Sequence, residues 1–360
     1  MVCRVVRGCR FQFWKRKGSA VTFACVMVLL AALSTLLFVD AIESWAVSMS
    51  RTKGVAGVWV GPGPPNRGFV SPPEEYLLMP SPLVCQRAKP YLIVMVTTAP
   101  AHWQARQVIR ETWGEETEVR GRRVMTLFMV GQSLDPGLSK QLVAEARDHG
   151  DVVQGRFLDS YANLTLKTLS LLGWVRRFCR EVPFVAKVDD DVLFNAGALL
   201  HYLNRNHRTE SDLYLGRVHV RVPPKRKPTS RHYLPALSYT PEVFPDYCSG
   251  TAYILSRPAA RKILQAASTL PLPDPLPPED VFVGLSALEA GIVPHHCPLF
   301  SGGPGVPYSR CCYQAMVSVH HTSPEEMVRF WTEVHSIPPC SWLSMKASLG
   351  LCKVRALVGM

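Results

Sequence analysis

From Tyr91 onward the chain alternates short apolar runs with longer stretches in which apolar residues return every three or four positions. The short β-branched runs read as buried strands, and the 3.6-residue period reads as helices with one face turned inward. Strands are predicted over Tyr91–Thr97, Val124–Val130, Asp151–Phe157 and Phe184–Val188. Helices are predicted between them, over His102–Trp113, Leu138–His149 and Leu164–Phe178. A further strand is predicted over Tyr247–Ser256, a helix from Glu279 to about Ala290, and a strand over Met316–His321. Thr322-Ser323-Pro324-Glu325-Glu326 then carries a helix-start signature. This alternation predicts an α/β fold, a mostly parallel, doubly wound sheet with flanking helices. Ligands of such sheets collect at the carboxyl ends of the strands.

The N-terminal pattern is different. Ala20 to Val39 holds no charged residue and is closed by Asp40. A helix of roughly 20 such residues crosses a bilayer. A cleaved signal peptide is the rival, but its apolar core is usually about 7–15 residues. Arg4, Arg7, Arg10, Lys15, Arg16 and Lys17 precede the run without an acid among them, which predicts a cytoplasmic tail over 1–19 and a single anchor over 20–39. These residues also supply half of the +12 net charge, so the basic balance is no sign of nucleic-acid binding. Gly61-Pro62-Gly63-Pro64-Pro65 and Ser71-Pro72-Pro73 suit neither helix nor sheet, and an extended stem is expected over 40–85. A folded lumenal domain is expected over 86–340 and a tail over 341–360. Eight of the eleven cysteines follow the anchor, an even number that points to disulfides in an oxidising lumen. Cys311 and Cys312 are neighbours, so each is expected to pair elsewhere.

Candidate chemistry centres on Asp189, Asp190 and Asp191, at the end of the strand Phe184–Val188. Three adjacent carboxylates repel one another, and a divalent cation with oxygen ligands relieves this best. Read alone, the triplet is an acidic loop facing water. Arg106 and Arg110 share a helix face at four-residue spacing, which suits either a solvated surface or a grip on phosphate. Glu279 and Asp280 open a helix, where acids are ordinary dipole partners, or else Asp280 is a general base at a pocket lip. His320 is a structural histidine or a metal ligand. Asn163 heads the one glycosylation sequon, Asn163-Leu164-Thr165, and alternatively caps the helix that follows. Arg221 to Arg231 forms a basic loop, and neither a Gly-x-Gly-x-x-Gly nor a Walker loop is present.

Five blocks in order carry a resemblance. They are Arg106 to Trp113, Leu158 to Thr168, Lys187 to Asp191, Tyr247 to Ser256 and Glu279 to Gly284. Together they resemble the β-1,3-glycosyltransferases of glycosyltransferase family 31, over roughly Pro90 to Trp331. The resemblance implies a type II Golgi membrane enzyme with a GT-A fold. It implies a manganese-dependent, inverting transfer from a UDP-sugar to a glycan hydroxyl. By motif match, Asp189 and Asp190 would contact the donor, Asp191 and His320 would hold Mn2+, and Arg106 would help hold the nucleotide. Asp280 would be the catalytic base. The end of the chain is most similar to the galactosyl branch, which implies UDP-galactose as donor and a terminal N-acetylhexosamine as acceptor, on a ganglioside-type glycolipid or a glycoprotein. UDP-N-acetylglucosamine is the alternative donor, and a silent carbohydrate-binding protein the alternative from another class. Ala252 stands where the family usually has Gly, and the Pro-rich loop before Glu279 is extended. Oligomeric state is left open.

Overall fold

The computed structural model describes residues 22–28, 30–31, 34–51, 75–206, 211–270, 276–303 and 305–358. Its strands are β1 (Tyr76–Leu78), β2 (Leu92–Thr97), β3 (Glu118–Val119), β4 (Arg122–Gln132), β5 (Val152–Leu158), β6 (Phe184–Asp189), β7 (Val192–Phe194), β8 (Tyr214–His219), β9 (Tyr247–Ser256), β10 (His295–His296) and β11 (Ser318–His320). The helices used below are α1 (Val39–Ser50), α2 (Val84–Ala88), α3 (Trp103–Glu111), α4 (Pro136–His149), α5 (Leu164–Phe178), α6 (Ala196–Asn206), α7 (Arg257–Ala267), α8 (Glu279–Glu289), α9 (Arg310–Ala315), α10 (Pro324–Val334) and α11 (Trp342–Val358).

The main sheet runs β1-β5-β4-β2-β6-β9-β8-β10. Strands β5, β4, β2 and β6 are parallel, as the alternation predicts, while β9 lies antiparallel between β6 and β8. The architecture is therefore mixed α/β. Side-chain alternation explains the two cores. Leu92, Val94 and Val96 face one side with Phe184, Ala186 and Val188, under α3, α6 and α10. Ile93 and Met95 face the other with Val185, Tyr253 and Leu255, under α5, α7 and α8. Each central strand is apolar on both faces because helices cover both.

Several expectations change at the ends of the chain. Among the described residues no helix is long and apolar enough to cross a membrane. The predicted anchor overlaps residues 20–21, 29 and 32–33, which lie outside the described ones. The first part of the expected extended stem is the helix α1, and 52–74 lie outside the described residues. The expected tail is the helix α11.

Helix α1 is docked by charge. Glu43 meets Arg217 at 2.8 Å, lies 3.5 Å from His296 and pairs with Lys353, and Asp40 pairs with Lys346. Burial pushes the Glu43 pKa up, but His296, Lys353 and Arg217 outweigh it and hold the carboxyl at about 2.

Two disulfides form, Cys85–Cys179 and Cys311–Cys340. The expectation that Cys311 and Cys312 each pair elsewhere holds for Cys311 and is corrected for Cys312, which like Cys248, Cys297 and Cys352 is a buried thiol. Burial raises the pKa of Cys248 and Cys297, which keeps those two thiols inert.

Candidate active site

The chain builds β2, β4 and β5 in one direction, then returns to place β6 on the other side of β2. A reversal of strand order opens a crevice at the carboxyl ends of the two flanking strands. Thr97 ends β2 in register with Asp189 at the end of β6. Its hydroxyl donates to Asp189 Oδ1 at 2.6 Å. The next pair repeats the contact, Thr98 donating to Asp190 Oδ2 at 2.6 Å. His102 Nδ1 lies 2.8 Å from the same oxygen, and this hydrogen bond raises the His102 pKa.

Behind this edge stand two buried cations, Lys167, which is paired with Asp159 at 2.9 Å, and Lys187. The two-residue period of a strand puts Lys187 and Asp189 on the same face of β6. Lys187 Nζ lies 2.5 Å from Asp189 Oδ1 and 3.9 Å from Glu279 Oε2, and it donates to the Gly250 carbonyl. Burial disfavours its charge, but Asp189 and Glu279 outweigh this and raise its pKa. Glu279 is buried and accepts from Thr168 at 2.7 Å and Tyr253 at 2.9 Å. Burial pushes its pKa up, against the pull of Lys187.

Asp280 turns outward from the same helix start. Its Oδ2 accepts the Gly250 N–H at 3.1 Å and its Oδ1 the Val281 N–H at 2.9 Å. Burial raises its pKa despite both N–H groups. A side chain at position 250 would crowd both acids, because a Cβ would stand 3.1 Å from Glu279 Oε2 and 3.3 Å from Asp280 Cβ. Small residues in β9 thus permit a close approach of α8.

Asp191 faces a different partner. Strands β7 and β11 pair antiparallel, setting His320 opposite Val192. His320 Nε2 lies 3.2 Å and His321 Nδ1 3.8 Å from Asp191 Oδ2. One ligand atom from each of the three side chains falls within 4.8 Å of the others. Burial would raise the Asp191 pKa, but the hydrogen bond and charge of His320, with His321, hold it down. The His320 N–H donates to Ser301 Oγ at 2.7 Å, and the Ser301 carbonyl accepts from Thr251 at 3.2 Å. The two-residue run Gly250-Thr251 therefore ties the Asp280 side to the His320 side.

A third wall holds Tyr161, His232 and Arg231. The Tyr161 hydroxyl is 3.1 Å from His232 Nδ1, and the Arg231 guanidinium lies 5.3 Å from the centre of its ring. Burial raises the Tyr161 pKa, Arg231 opposes, and Asp280 and Asp189 push it further up.

The expected phosphate grip is corrected. Arg106 is fully buried, and its guanidinium is held by Glu145 at 2.7 Å, the Ala99 carbonyl at 2.6 Å and the Pro100 carbonyl at 3.1 Å. Arg110 binds Asp151 at 2.7 Å and Glu145 at 2.8 Å, over the Phe128 ring. Their helix face turns to the sheet, and Arg106 braces the Thr98–Pro100 turn while Arg110 shares Glu145 with it. Of the basic loop, Arg226 is spent on the carbonyls of Leu234, Tyr239 and Pro241. Asn163 does not cap α5; its amide donates to the Leu158 carbonyl at 2.8 Å. Thr97, Thr98, His102 and His321 join the site without having been singled out. For His321 the signal was its place directly after His320.

With this geometry in hand, the similarities to known proteins fall into one group. The family model described as Galactosyltransferase matches residues 104–298. β-1,3-galactosyltransferase 4 of Rattus norvegicus is 39% identical over 78% of this chain and 83% of the relative. The Homo sapiens protein of that name is 37% identical over 82% of this chain and 86% of the relative.

This chain belongs to the galactosyltransferase family.

It is a galactosyltransferase enzyme, similar over most of its length to relatives named as β-1,3-galactosyltransferases. Homo sapiens β-1,3-galactosyltransferase 9 extends the similarity, at 32% identity over 78% of this chain and 75% of the relative. The matched region of the family contains α3 from its second residue, the Asp189–Asp191 edge, Gly250 and Asp280.

Proposed function

We propose that this galactosyltransferase moves galactose from UDP-galactose, with inversion, onto the 3-hydroxyl of a terminal N-acetylhexosamine, on a GT-A-like fold. The observation that carries the reading is the pairing of two unlike acid sites. One is a carboxylate beside imidazoles, Asp191 with His320 and His321. The other is a half-buried carboxylate of raised pKa, Asp280, fixed by two backbone N–H groups.

The Asp191 carboxylate oxygen suits Mn2+, and the imidazole nitrogens of His320 and His321 are ligands of first-row divalent ions generally, so, without selecting it over zinc or iron, the set accommodates Mn2+. Asp191 and His320, with His321 beside them, would hold it, and it would supply positive charge to the diphosphate leaving group. Asp189 and Asp190, oriented by Thr97 and Thr98, take the hydroxyls of the donor's ribose and sugar. Asp280 accepts the proton of the acceptor hydroxyl. That oxygen forms its bond to the anomeric carbon as the bond to phosphate breaks, and UDP departs with the electron pair. A raised pKa makes Asp280 a stronger base than an ordinary aspartate. The two backbone hydrogen bonds fix both of its oxygens before the acceptor arrives, which lowers the cost of orientation.

The Tyr161–Arg231–His232 wall belongs to the acceptor side, where a flat ring stacks on a hexose and the guanidinium meets an acidic substituent. A ganglioside-type glycolipid fits this wall. Asn163 is the proposed glycosylation site, and an anchor over 20–39 in the Golgi membrane, with the domain in the lumen, completes the reading.

Incubation of the purified chain with Mn2+, labelled UDP-galactose or UDP-N-acetylglucosamine, and acceptors ending in N-acetylgalactosamine or N-acetylglucosamine tests this. Galactose transfer with a β-1,3 linkage supports it. Transfer from UDP-N-acetylglucosamine alone would refute the donor. Asp191→Ala should abolish metal-dependent UDP binding in calorimetry, and unchanged affinity would refute the metal assignment.

A further inference from the structure

Helix α11 is apolar on two sides, and its domain uses only one. Leu349 and Cys352 face inward and are buried in the core with Cys312, Tyr313 and Phe330. Leu351, Val354, Leu357 and Val358 face outward and are 45%, 37%, 76% and 58% exposed. With 3.6 residues per turn these four fall within an arc of about 120°. A helix that is apolar all round belongs inside a large core or in lipid, so the outer arc calls for a partner.

The arc borders the apolar run that precedes α1. Lys346, Gly350, Val354 and Val358 stand four residues apart and form one row along α11. Lys346 pairs with Asp40, the acid that closes the run. One turn on, Gly350 meets Leu36, inside the run. A Cβ at Gly350 would collide with the Leu36 carbonyl, so glycine is what lets the two backbones touch. The row thus steps from the polar end of the run toward its apolar part, and Val354 and Val358 continue it in that direction.

Charge follows the same division. Lys346 and Lys353 turn toward α1, where they pair with Asp40 and Glu43. Arg355 is exposed beside the arc, and a side chain of its length can hold its charge in water while its stem lies on apolar neighbours. The arc itself carries no charge.

We propose that the last two turns of α11 lie against the lipid bilayer and give the domain a second membrane contact. This rests on the proposed anchor over 20–39, which sets Leu36 at the bilayer edge. A single spanning helix leaves the domain free to turn about its axis. A second contact off that axis fixes which face of the domain meets the membrane, and so where the Asp191–Asp280 crevice stands relative to a glycolipid acceptor.

Photolabelling of the full wild-type chain in phosphatidylcholine vesicles tests the contact, with a diazirine on the lipid acyl chain and adducts mapped by mass spectrometry of peptides. Adducts should form on Leu351, Val354 and Leu357 and within residues 22–28. They should be absent from Leu134 and Leu237, apolar side chains more exposed than any of the arc. Leu351→Asp with Val354→Asp should lose the adducts of α11 and keep those of 22–28. Labelling of 22–28 with none on α11 would overturn the proposal, since a second copy or residues 52–74 would then cover the arc. Equal labelling of α11, Leu134 and Leu237 would overturn it too, because exposure alone would account for the adducts. Labelling of α11 with none at 22–28 would refute the anchor and leave the lipid contact standing, and no labelling at either would remove both. A chain labelled at both that transfers no galactose would refute the proposed reaction and support the contact.

Discussion

Two buried charge clusters lie on either side of the Thr98–Pro100 turn, and they differ in balance. Behind the turn, Arg106 and Arg110 face Glu145 and Asp151, two cations for two anions with bidentate contacts. In front, Lys187 faces Asp189, Glu279 and Asp280, while the second buried cation, Lys167, is paired with Asp159. The rear cluster is satisfied and has nothing left to bind a ligand. The front cluster carries an excess of acid that the fold leaves uncompensated, and the pKa values of Glu279 and Asp280 rise as a result of burial. A buried cluster that closes on itself is structural, whereas one short of a counter-charge awaits a substrate proton or a cation.

The sharpest test of the contrast is Asp280→Asn. Loss of a general base should cost about 10²–10⁴ in kcat. Binding of UDP with Mn2+ should survive, and equal loss of both would remove the distinction between base and donor site. Next comes Arg106→Met in the rear cluster. Breaking one partner from a buried pair should destabilise the domain by about 3–5 kcal/mol. If KM for UDP-galactose rises at undiminished Tm instead, the arginine touches phosphate and the contrast fails.

The pH dependence follows from the same residue. Asp280 works ionised, and its pKa is raised in the folded chain. kcat/KM should therefore fall on acidification at a pH above the ordinary aspartate range. The sign for stability is opposite. A carboxyl whose folded pKa is raised adds stability at low pH, and that stability is lost as pH rises through the raised value. Asp280→Asn should accordingly leave Tm unchanged or higher at pH 7, and a lower Tm would show a structural role. Smallest is Thr98→Val, which removes one hydroxyl from Asp190. A hydrogen bond to a charged group contributes about 1.5–3 kcal/mol, so KM for the donor should rise roughly tenfold or more.

Much of the site was legible because its parts are local. Asp189 to Asp191 follow a strand whose apolar run is unmistakable, and Asp280 opens a helix marked by the prolines before it. The arginines misled for a physical reason. Spacing of four fixes that Arg106 and Arg110 share a face of α3, but not which way the face turns. Glu145 and Asp151 stand some forty residues downstream, where no local pattern couples them to α3. The same limit hid Thr97 and Thr98, whose value comes only from strand register.

What the sequence alone determined, then, was the alternation of elements, the acid edge at the end of β6, and the membership of the chain in a family of transferases. Periodicity and short-range chemistry suffice for these. The tertiary structure decided which charges cancel and which remain, that α1 is clasped to the domain through Glu43, and that Gly250 lets Lys187, Glu279 and Asp280 converge. Those outcomes depend on distances between residues far apart in the chain, and only packing sets such distances.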